Sequence, residues 1–395
     1  MAIPNASDED WKLLASFFPP RWKELGQVTK ALKGLRQDKN EENYMRTLLL
    51  HLGCGLSMRE TVVRARQAKL AELSDVALLK RLRKSKEWLY RLCCALLEER
   101  GLVTGSTSSR TLRLIDATVV KEPGKTGSQW RIHYSLQWPT LVCDYFKITA
   151  AEGKGSGESL RHFPLKPRDY VVVDRGYCHA SGIHHAAGKK AYLAVRLNPD
   201  GILLQAPDGS KFRLLEQLQT LTATEQNAEW EVLVPYENQA AVSARLCVVR
   251  KSQTAIALAH KKLRRYASKH GTRLQPETLV YAQYVMVLAT FPAPEFSLEQ
   301  VLDHYRFRWQ IELVFKRFKQ IAQLGHLPKY DEESAKAWLY GKLFVTLLTE
   351  KLISTRAHAF PLGIHIGPAS AFPADGVNFP LRSTKSPQRS SRSCL

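Results

Sequence analysis

One segment near residue 310 combines a single acid with several cations and a tyrosine on a predicted helix. Its sequence, EQVLDHYRFRWQIELVFKRFKQI, has apolar side chains at the spacing of one buried helical stripe. A lone carboxylate among cations suits a site that grips phosphates around a metal-bound acid. The alternative is a solvated helix face on which Arg308 and Glu312 form an ordinary ion pair. On a helical wheel the polar side chains fall within an arc of about 80°: Tyr305, Arg308, Glu312, Lys316 and Lys319.

Two aspartates lie in or next to apolar, strand-like segments upstream of this helix. Asp116 stands within TLRLIDATVV, and Asp174 directly follows YVVV. A charge within or at the end of a buried strand is costly unless it is paired or binds a metal ion. A single aspartate of this kind is more often a capping or turn residue. Two of them on strands of one predicted sheet, followed by Glu312 on a helix, favour a shared site.

Three carboxylates in one place can hold two divalent cations about 3.5–4 Å apart, an arrangement that serves phosphoryl transfer. One cation activates the attacking oxygen and the other stabilises the leaving oxygen. Because all the ligands are hard oxygens, Mg²⁺ or Mn²⁺ is the expected metal. Asp116, Asp174 and Glu312 are therefore candidates for both catalysis and metal binding.

The charge of the chain indicates the kind of partner. A net charge of +21 and a pI of about 9.7, spread along the whole sequence, favour nucleic acid over an acidic membrane surface. We find no apolar stretch long enough to cross a membrane. Seven cysteines without a C-x-x-C pair, and an N-terminus without a signal segment, favour a reducing cytoplasm.

The elements that position the three acids predict a mixed α/β sheet flanked by helices. TLRLIDATVV, RIHYSLQW and LVCDYFKITAA are expected to form three strands in a meander, and YVVVDRGY, HASGIHHAAGKK and AYLAVRL then predict strand, helix and strand. This order differs from a uniformly alternating, doubly wound fold. A glycine-rich turn, EGKGSGES, precedes the fourth strand, but it lacks the lysine and Ser/Thr ending of a phosphate-binding P-loop.

Five segments are expected along the chain. Within the first, Ser57 and Glu60 are spaced as a helix cap, and the helices fit either a helix-turn-helix unit for DNA ends or a plain bundle. One long helix from about Ser297 to Leu324 is expected to carry Glu312. The segments are a helical N-terminal domain (1–105), the first part of the α/β core (106–199), a β-rich insertion (200–290), the completion of the core with a following helix (291–354), and an irregular, disordered tail (355–395).

At these residues the chain resembles the bacterial insertion-sequence transposases of the DDE superfamily, in the group whose third catalytic block is Y-x2-R-x3-E-x6-K. Tyr305, Arg308, Glu312 and Lys319 match that block at all four positions. LIDATVV matches the first block and VVVDRGY the second, and the long interval before the third block corresponds to the family's β-rich insertion. The resemblance covers about residues 40–352 and implies an RNase H-like α/β core.

The resemblance also implies the reaction and its partners. The expected activity is nicking at transposon ends followed by transfer of the 3′-OH to target DNA, without a covalent protein intermediate. Two Mg²⁺ or Mn²⁺ ions would be held by Asp116, Asp174 and Glu312. Family members act as homodimers or larger synaptic complexes on paired terminal inverted repeats, so DNA and further copies of the chain are the expected partners. The expected location is the bacterial cytoplasm, at the nucleoid.

Several other side chains are expected to contact DNA on the same resemblance. Tyr305, Arg308 and Lys319 would contact phosphates at the transposon end, with Lys316 on the same helix face. Trp230 is a candidate for the aromatic residue that stacks on a flipped base. The remaining candidates are cations: Arg175 beside the second aspartate, and a basic patch of Lys261, Lys262, Arg264 and Arg265, which could equally be a solvated helix face.

The end of the chain departs from the family pattern. After about residue 355 helical patterning stops, and a string rich in proline and serine follows. Such a string is typical of translation in a shifted frame, which gives the hypothesis of a truncated or frameshifted copy. Two alternatives to an active transposase stay open: a degenerate copy that binds inverted repeats without cutting, and a different RNase H-like nuclease.

Overall fold

A single mixed sheet forms the centre of the protein. The computed structural model describes residues 6–35, 40–103, 111–121, 129–153, 156–320, 324, 327 and 331–359. Eight strands within these residues join one sheet in the order β3-β2-β1-β4-β5-β8-β7-β6. The strands are β1 (Thr111–Lys121), β2 (Gln129–Trp138), β3 (Val142–Ala150), β4 (Asp169–Val173), β5 (Tyr192–Arg196), β6 (Asn227–Tyr236), β7 (Gln239–Arg250) and β8 (Tyr284–Ala289).

The strand directions confirm the predicted mixed sheet. β1, β2 and β3 form an antiparallel meander, and β4 and β5 run parallel to β1. β8, β7 and β6 then extend the same sheet with antiparallel pairing. A three-stranded meander continued by parallel strands is the arrangement of the RNase H-like core that the sequence implies.

Helices cover both faces of this sheet. Neighbouring residues of β4 face opposite sides: Val172 packs in one apolar layer, and Val171 and Val173 pack in the other. The strand is therefore apolar on both faces, which explains why its sequence does not alternate. The described helices are α1 (Ala6–Ser16), α2 (Trp22–Val28), α3 (Glu41–Leu52), α4 (Met58–Gln67), α5 (Asp75–Lys84), α6 (Lys86–Val103), α7 (Ala180–Gly188), α8 (Leu214–Gln219), α9 (Gln253–His270), α10 (Pro276–Tyr281), α11 (Leu298–Arg306), α12 (Trp309–Gln320) and α13 (Glu332–Ala359).

The segment between β5 and β8 contains more helix than its sequence indicates. β6 and β7 lie where strands are predicted, but the basic run HKKLRRYASKH lies on α9. Ser252 caps the start of α9 by accepting a hydrogen bond from the Ala255 amide, and Gly271 ends it in the left-handed conformation at φ 60°. The apolar stretch TLVYAQYVMVLATF forms the end of α10 followed by β8, and the residues between them turn the chain.

The predicted long helix over about 297–324 is wrong: it is two helices, α11 and α12, broken at Phe307 and Arg308. Around the break the backbone bonds residues three apart, with Arg308 N donating to Tyr305 O at 3.1 Å and Ile311 N donating to Arg308 O at 3.2 Å. This is the tighter spacing of a 3₁₀ turn. Phe307 stacks on Trp138 of β2 with ring centroids 4.1 Å apart, which fixes the break against the sheet.

The N-terminal helices and the last helix pack together. The predicted cap is present, since Ser57 Oγ accepts from the Glu60 amide at 3.1 Å. α5 and α6 meet at Ser85, whose hydroxyl lies 2.7 Å from that of Tyr44. α13 lies against α3, α5 and α6, joined there by an ion pair of 2.6 Å between Lys351 and Glu99.

α13 extends to Ala359, and residues 360–395 lie outside the described residues. No helix among the described residues is long and apolar enough to span a bilayer.

Candidate active site

Asp116 and Asp174 lie at the same level on neighbouring parallel strands. Ile115 of β1 pairs with Val173 of β4, so the next residue along each chain is an aspartate. Val173 also pairs with Val195 of β5, which brings Arg196 to this level. A row of charged groups therefore stands where β4 and β5 end, the edge at which open α/β sheets bind their ligands.

Arg308 contacts the carboxylates of all three predicted acids. Its Nη1 lies 3.8 Å from Asp116 Oδ2, and its Nε lies 3.7 Å from Asp174 Oδ1. Its Nη2 forms an ion pair with Glu312 Oε1. The side chains of Arg308 and Glu312 are 12% and 16% exposed, so their pairing is not the solvated surface ion pair that was the alternative. The guanidinium therefore contacts side chains from β1, the end of β4 and α12.

The break between α11 and α12 places Tyr305 and Arg308 over the sheet. The Tyr305 hydroxyl donates to Asp174 Oδ1 at 3.4 Å, and its ring lies 6.0 Å from the Arg308 guanidinium. Tyr305 is buried rather than on an open polar face, because the 3₁₀ turn redirects the chain between it and Glu312. The five-residue face predicted on one continuous helix is thus divided between two helices.

Burial and mutual repulsion change the acidity of these groups. Burial, together with the nearby charges of Asp174 and Glu158, raises the pKa of Asp116 to about 8, although Arg308 acts in the other direction. Burial also raises the pKa of Glu312. Burial alone would lower the pKa of Arg308, but Tyr305 and the carboxylates around it raise it above its ordinary value. The site is a crowded set of acids held by one permanent cation.

The other predicted DNA-contacting residues lie elsewhere. Lys316 and Lys319 are exposed on α12. Arg175 binds Asn198, donating to its Oδ1 from Nε at 2.9 Å and from Nη2 at 2.5 Å. Trp230 lies on β6, partly buried against the core, with its ring 6.2 Å from that of Phe212. The basic patch is exposed on α9: Lys261, Lys262, Arg264 and Arg265.

Comparisons with known proteins agree with this arrangement. The family described as "Transposase DDE domain" matches residues 149–348. The chain is 31% identical to the transposase for insertion sequence element IS421 from Escherichia coli over 357 residues, which cover 88% of this chain and 95% of that protein. It is also 31% identical, over 356 residues, to the InsL protein of insertion sequence element IS186A from Escherichia coli strain K12, and this match again covers 88% of this chain and 95% of that protein. The chain belongs to the DDE transposase family. It is therefore a metal-dependent enzyme that cleaves and joins DNA in transposition, and the alternative of a different RNase H-like nuclease is wrong.

One solved structure also aligns with most of this DDE transposase. The synaptic complex of piggyBac transposase with hairpin DNA aligns with 88% of this chain and 76% of that chain, at 10% identity and a TM-score of 0.45. At that level the similarity adds nothing to the assignment, which rests on the sequence relatives.

The three carboxylates fit a divalent cation by their chemistry. Oxygen ligands suit Mg²⁺ or Mn²⁺, and Glu312 Oε1 is buried without a hydrogen bond, although it lies in ion-pair contact with Arg308. Within the described part of the transposase, no three His, Cys, Asp or Glu side chains are arranged so that they could hold a metal ion as they stand. Here each carboxylate contacts a different nitrogen of Arg308, so a metal ion would compete with the guanidinium for the same oxygens.

Three residues near the site were not assigned roles from the sequence. Arg196 is close enough to lower the pKa of both Glu312 and Tyr305. The sequence could have indicated a role for Arg196, because this charged residue ends an apolar strand much as Asp174 follows one. Trp309, next to Arg308, is 49% exposed. Glu158 affects the pKa of Asp116, but it lies in the glycine-rich turn and nothing in the sequence connects it with the site.

The first prediction concerns stability of the transposase without metal. Because the pKa of folded Asp116, about 8, lies above its ordinary 3.8, the protonated form stabilises the fold below pH 4 and that contribution is lost as pH rises through 8. We expect Asp116→Asn to stay close to wild type near pH 4 and to exceed it at pH 9 by about 2–5 kcal/mol. Urea unfolding in a chelator measures both. Asp303→Asn, at an exposed position on α11, is the control, and an identical pH dependence in wild type and Asp116→Asn would contradict the expectation.

Proposed function

We propose that Asp116, Asp174 and Glu312 are the catalytic and metal-binding residues of this transposase. The observation that supports this most strongly is the contact of one guanidinium with all three carboxylates, which come from β1, the end of β4 and α12. Acids from distant parts of a chain converge in a partly buried place only at a cost in free energy. A role in holding cations, with Mg²⁺ or Mn²⁺ as the expected ions and two as the expected number, accounts for that cost.

The side chains of the site divide the work. Divalent cations bound here would neutralise phosphate charge and favour deprotonation of the attacking water or 3′-OH. Asp116 would have to release its proton to hold a cation, because only the ionised carboxylate is a ligand. Tyr305 orients Asp174 through its hydroxyl, which we assign as its main role in place of direct contact with phosphate. Arg308 holds the acids and is the nearest cation to receive a phosphate of the transposon end.

DNA follows the basic surfaces that leave this site. Lys316 and Lys319 extend from Arg308 along α12 and are proposed to contact the transposon end, as is Arg175, which directly follows Asp174. α9 carries five Lys or Arg residues and no acid, so its cations cannot be paired within their own helix. We assign its basic patch, Lys261, Lys262, Arg264 and Arg265, to the sugar-phosphate backbone.

Trp309 is better placed than Trp230 to stack on a displaced base. Trp309 is 49% exposed and follows Arg308 directly, whereas Trp230 is partly buried against apolar neighbours. Stacking needs an accessible ring face close to the strand being cut. We therefore propose Trp309 for this role and keep Trp230 as the second candidate.

The larger assembly is proposed from the family. Two or more copies would hold a pair of terminal inverted repeats together with target DNA in the bacterial cytoplasm. The helical region over residues 1–105 is the proposed end-binding unit, the core spans 106–199 and 291–354, and 200–290 is the insertion that carries α9.

Loss of a proposed ligand tests the function directly. Glu312→Gln keeps the shape of the side chain but removes the charge, so Mg²⁺-dependent cleavage of a duplex bearing the element's own terminal repeat should fall by at least about 10³-fold. Binding of the same duplex should persist. Glu332→Gln, at an exposed position on α13, is the matched control. Cleavage by Glu312→Gln at the wild-type rate would show that the assigned site is wrong, and a wild-type protein that binds without cutting would favour the degenerate copy.

The basic patch on α9 can be tested by the salt dependence of DNA binding. Each lost phosphate contact lowers the slope of log K against log salt by about 0.9, so Lys261→Gln with Arg265→Gln should lower it by about 2. The control, Lys189→Gln with Lys211→Gln, changes the same charge at exposed positions away from α9 and should leave the slope unchanged. Equal slopes for the two double variants would show that α9 does not contact DNA phosphates.

Base stacking by Trp309 predicts a dependence on the aromatic ring. Trp309→Ala should weaken binding of an end duplex with an unpaired terminal base by about tenfold, within the range of one stacking contact, while Trp309→Phe retains most of the affinity. The fluorescence of 2-aminopurine at the unpaired position measures the stacking itself. If the Ala and Phe variants quench it equally, Trp309 does not stack.

A further inference from the structure

The backbone turn that follows Asp174 is fixed from several sides. Asp174 begins a short 3₁₀ turn, Arg175–Tyr177, but its carboxylate makes no capping hydrogen bond to that turn. Besides the contacts with Tyr305 and Arg308, the direction of the carboxylate therefore depends on how the turn itself is held. Asn198 holds Arg175 on one side, and Tyr177 is buried beneath the turn.

Glu158 holds the same turn on the other side. One carboxylate oxygen, Oε1, accepts from Arg131 Nη1 of β2 at 3.0 Å. The other, Oε2, lies so close over Gly176 that a Cβ at that position would meet it at 1.7 Å. The carboxylate thus occupies the space that a side chain at position 176 would need.

The contact explains the glycine better than backbone freedom does. Gly176 is not among the glycines with a positive φ, so its conformation is open to any residue. What excludes a larger residue is the Glu158 carboxylate, which the ion pair with Arg131 keeps in place. The Arg131 side chain is 8% exposed, so this ion pair has little freedom to rearrange.

We propose that Glu158 is a positioning residue of the active site, which packs on Gly176 and so fixes the turn that presents Asp174 to Asp116 and Arg308. The proposal rests on the assignment of Asp174 as a metal ligand. It gives the glycine-rich turn EGKGSGES a role unrelated to phosphate binding, since that turn supplies Glu158. Two buried polar atoms of the surrounding residues, Arg131 Nε and the Tyr177 hydroxyl, have no hydrogen-bond partner within the described residues.

A double-mutant cycle between positions 158 and 176 tests the contact. In the full-length protein, Gly176→Ala should lower kcat for cleavage about 100-fold, because its Cβ displaces the Glu158 carboxylate and the turn with it. Glu158→Ala should lower kcat about tenfold with a smaller change in KM for the end duplex, since Asn198 still holds the neighbouring Arg175. The double variant should recover to the level of Glu158→Ala. Gly188→Ala, where a Cβ meets nothing within 4 Å, is the control and should match wild type.

Two further measurements separate positioning from other roles. Glu158→Gln keeps the packing and can still accept from Arg131, so it should stay within about threefold of wild-type kcat. Mn²⁺ affinity, followed by electron paramagnetic resonance, should weaken in Gly176→Ala and recover in the double variant. If Gly176→Ala does not fold, recovery of folding in the double variant supports the contact.

Other results would overturn the proposal. A double variant as poor as the product of the two single losses, or Glu158→Gln as inactive as Glu158→Ala, would exclude positioning by packing. If one of these results is found while Glu312→Gln is still inactive, only the role of Glu158 is rejected. An active Glu312→Gln would instead reject the assigned site itself.

Discussion

One guanidinium placed among three carboxylates is the constraint on which the rest of this structure depends. Arg308 contacts Asp116, Asp174 and Glu312, which lie far apart in the sequence and belong to different elements. Each carboxylate repels the others, and burial strengthens that repulsion. Removing the Arg308 guanidinium would leave these carboxylates without the one cation that contacts all three. The parallel pairing of β1 with β4 and the broken helix are therefore parts of one electrostatic arrangement.

The same crowding links protonation, metal and DNA. A carboxyl with a pKa raised to about 8 retains its proton at neutral pH unless a cation offsets the repulsion. At the proposed site, the carboxylates that would hold a divalent cation are the ones that now contact Arg308, and a DNA phosphate would give the guanidinium a new anionic partner. Charge balance thus favours the binding of metal and DNA together, as phosphoryl transfer between DNA strands requires.

The surroundings of the site support it in successive layers. The apolar layers on the two faces of the sheet hold β1 and β4 in register. The stacking of Phe307 on Trp138 fixes the helix break, and Glu158 on Gly176 fixes the turn after Asp174. Farther out, the sheet continues through β8, β7 and β6, whose segment carries the basic helix α9. The side chains that position the acids and the basic residues of α9 therefore belong to different parts of the chain.

The sequence by itself determined the kinds of residue and their order: acids in strands, the spaced block from Tyr305 to Lys319, a basic chain and a mixed sheet. Those features are local, because strand periodicity, helix spacing and charge follow from neighbouring residues. Only the tertiary structure decided that the helix breaks at Arg308, because the break depends on Trp138 of a distant strand. It also decided that Tyr305 is buried and that Glu158 reaches Gly176. Contacts between residues far apart in sequence leave no periodic signal, so the chemistry could be predicted from the sequence but its exact positioning could not.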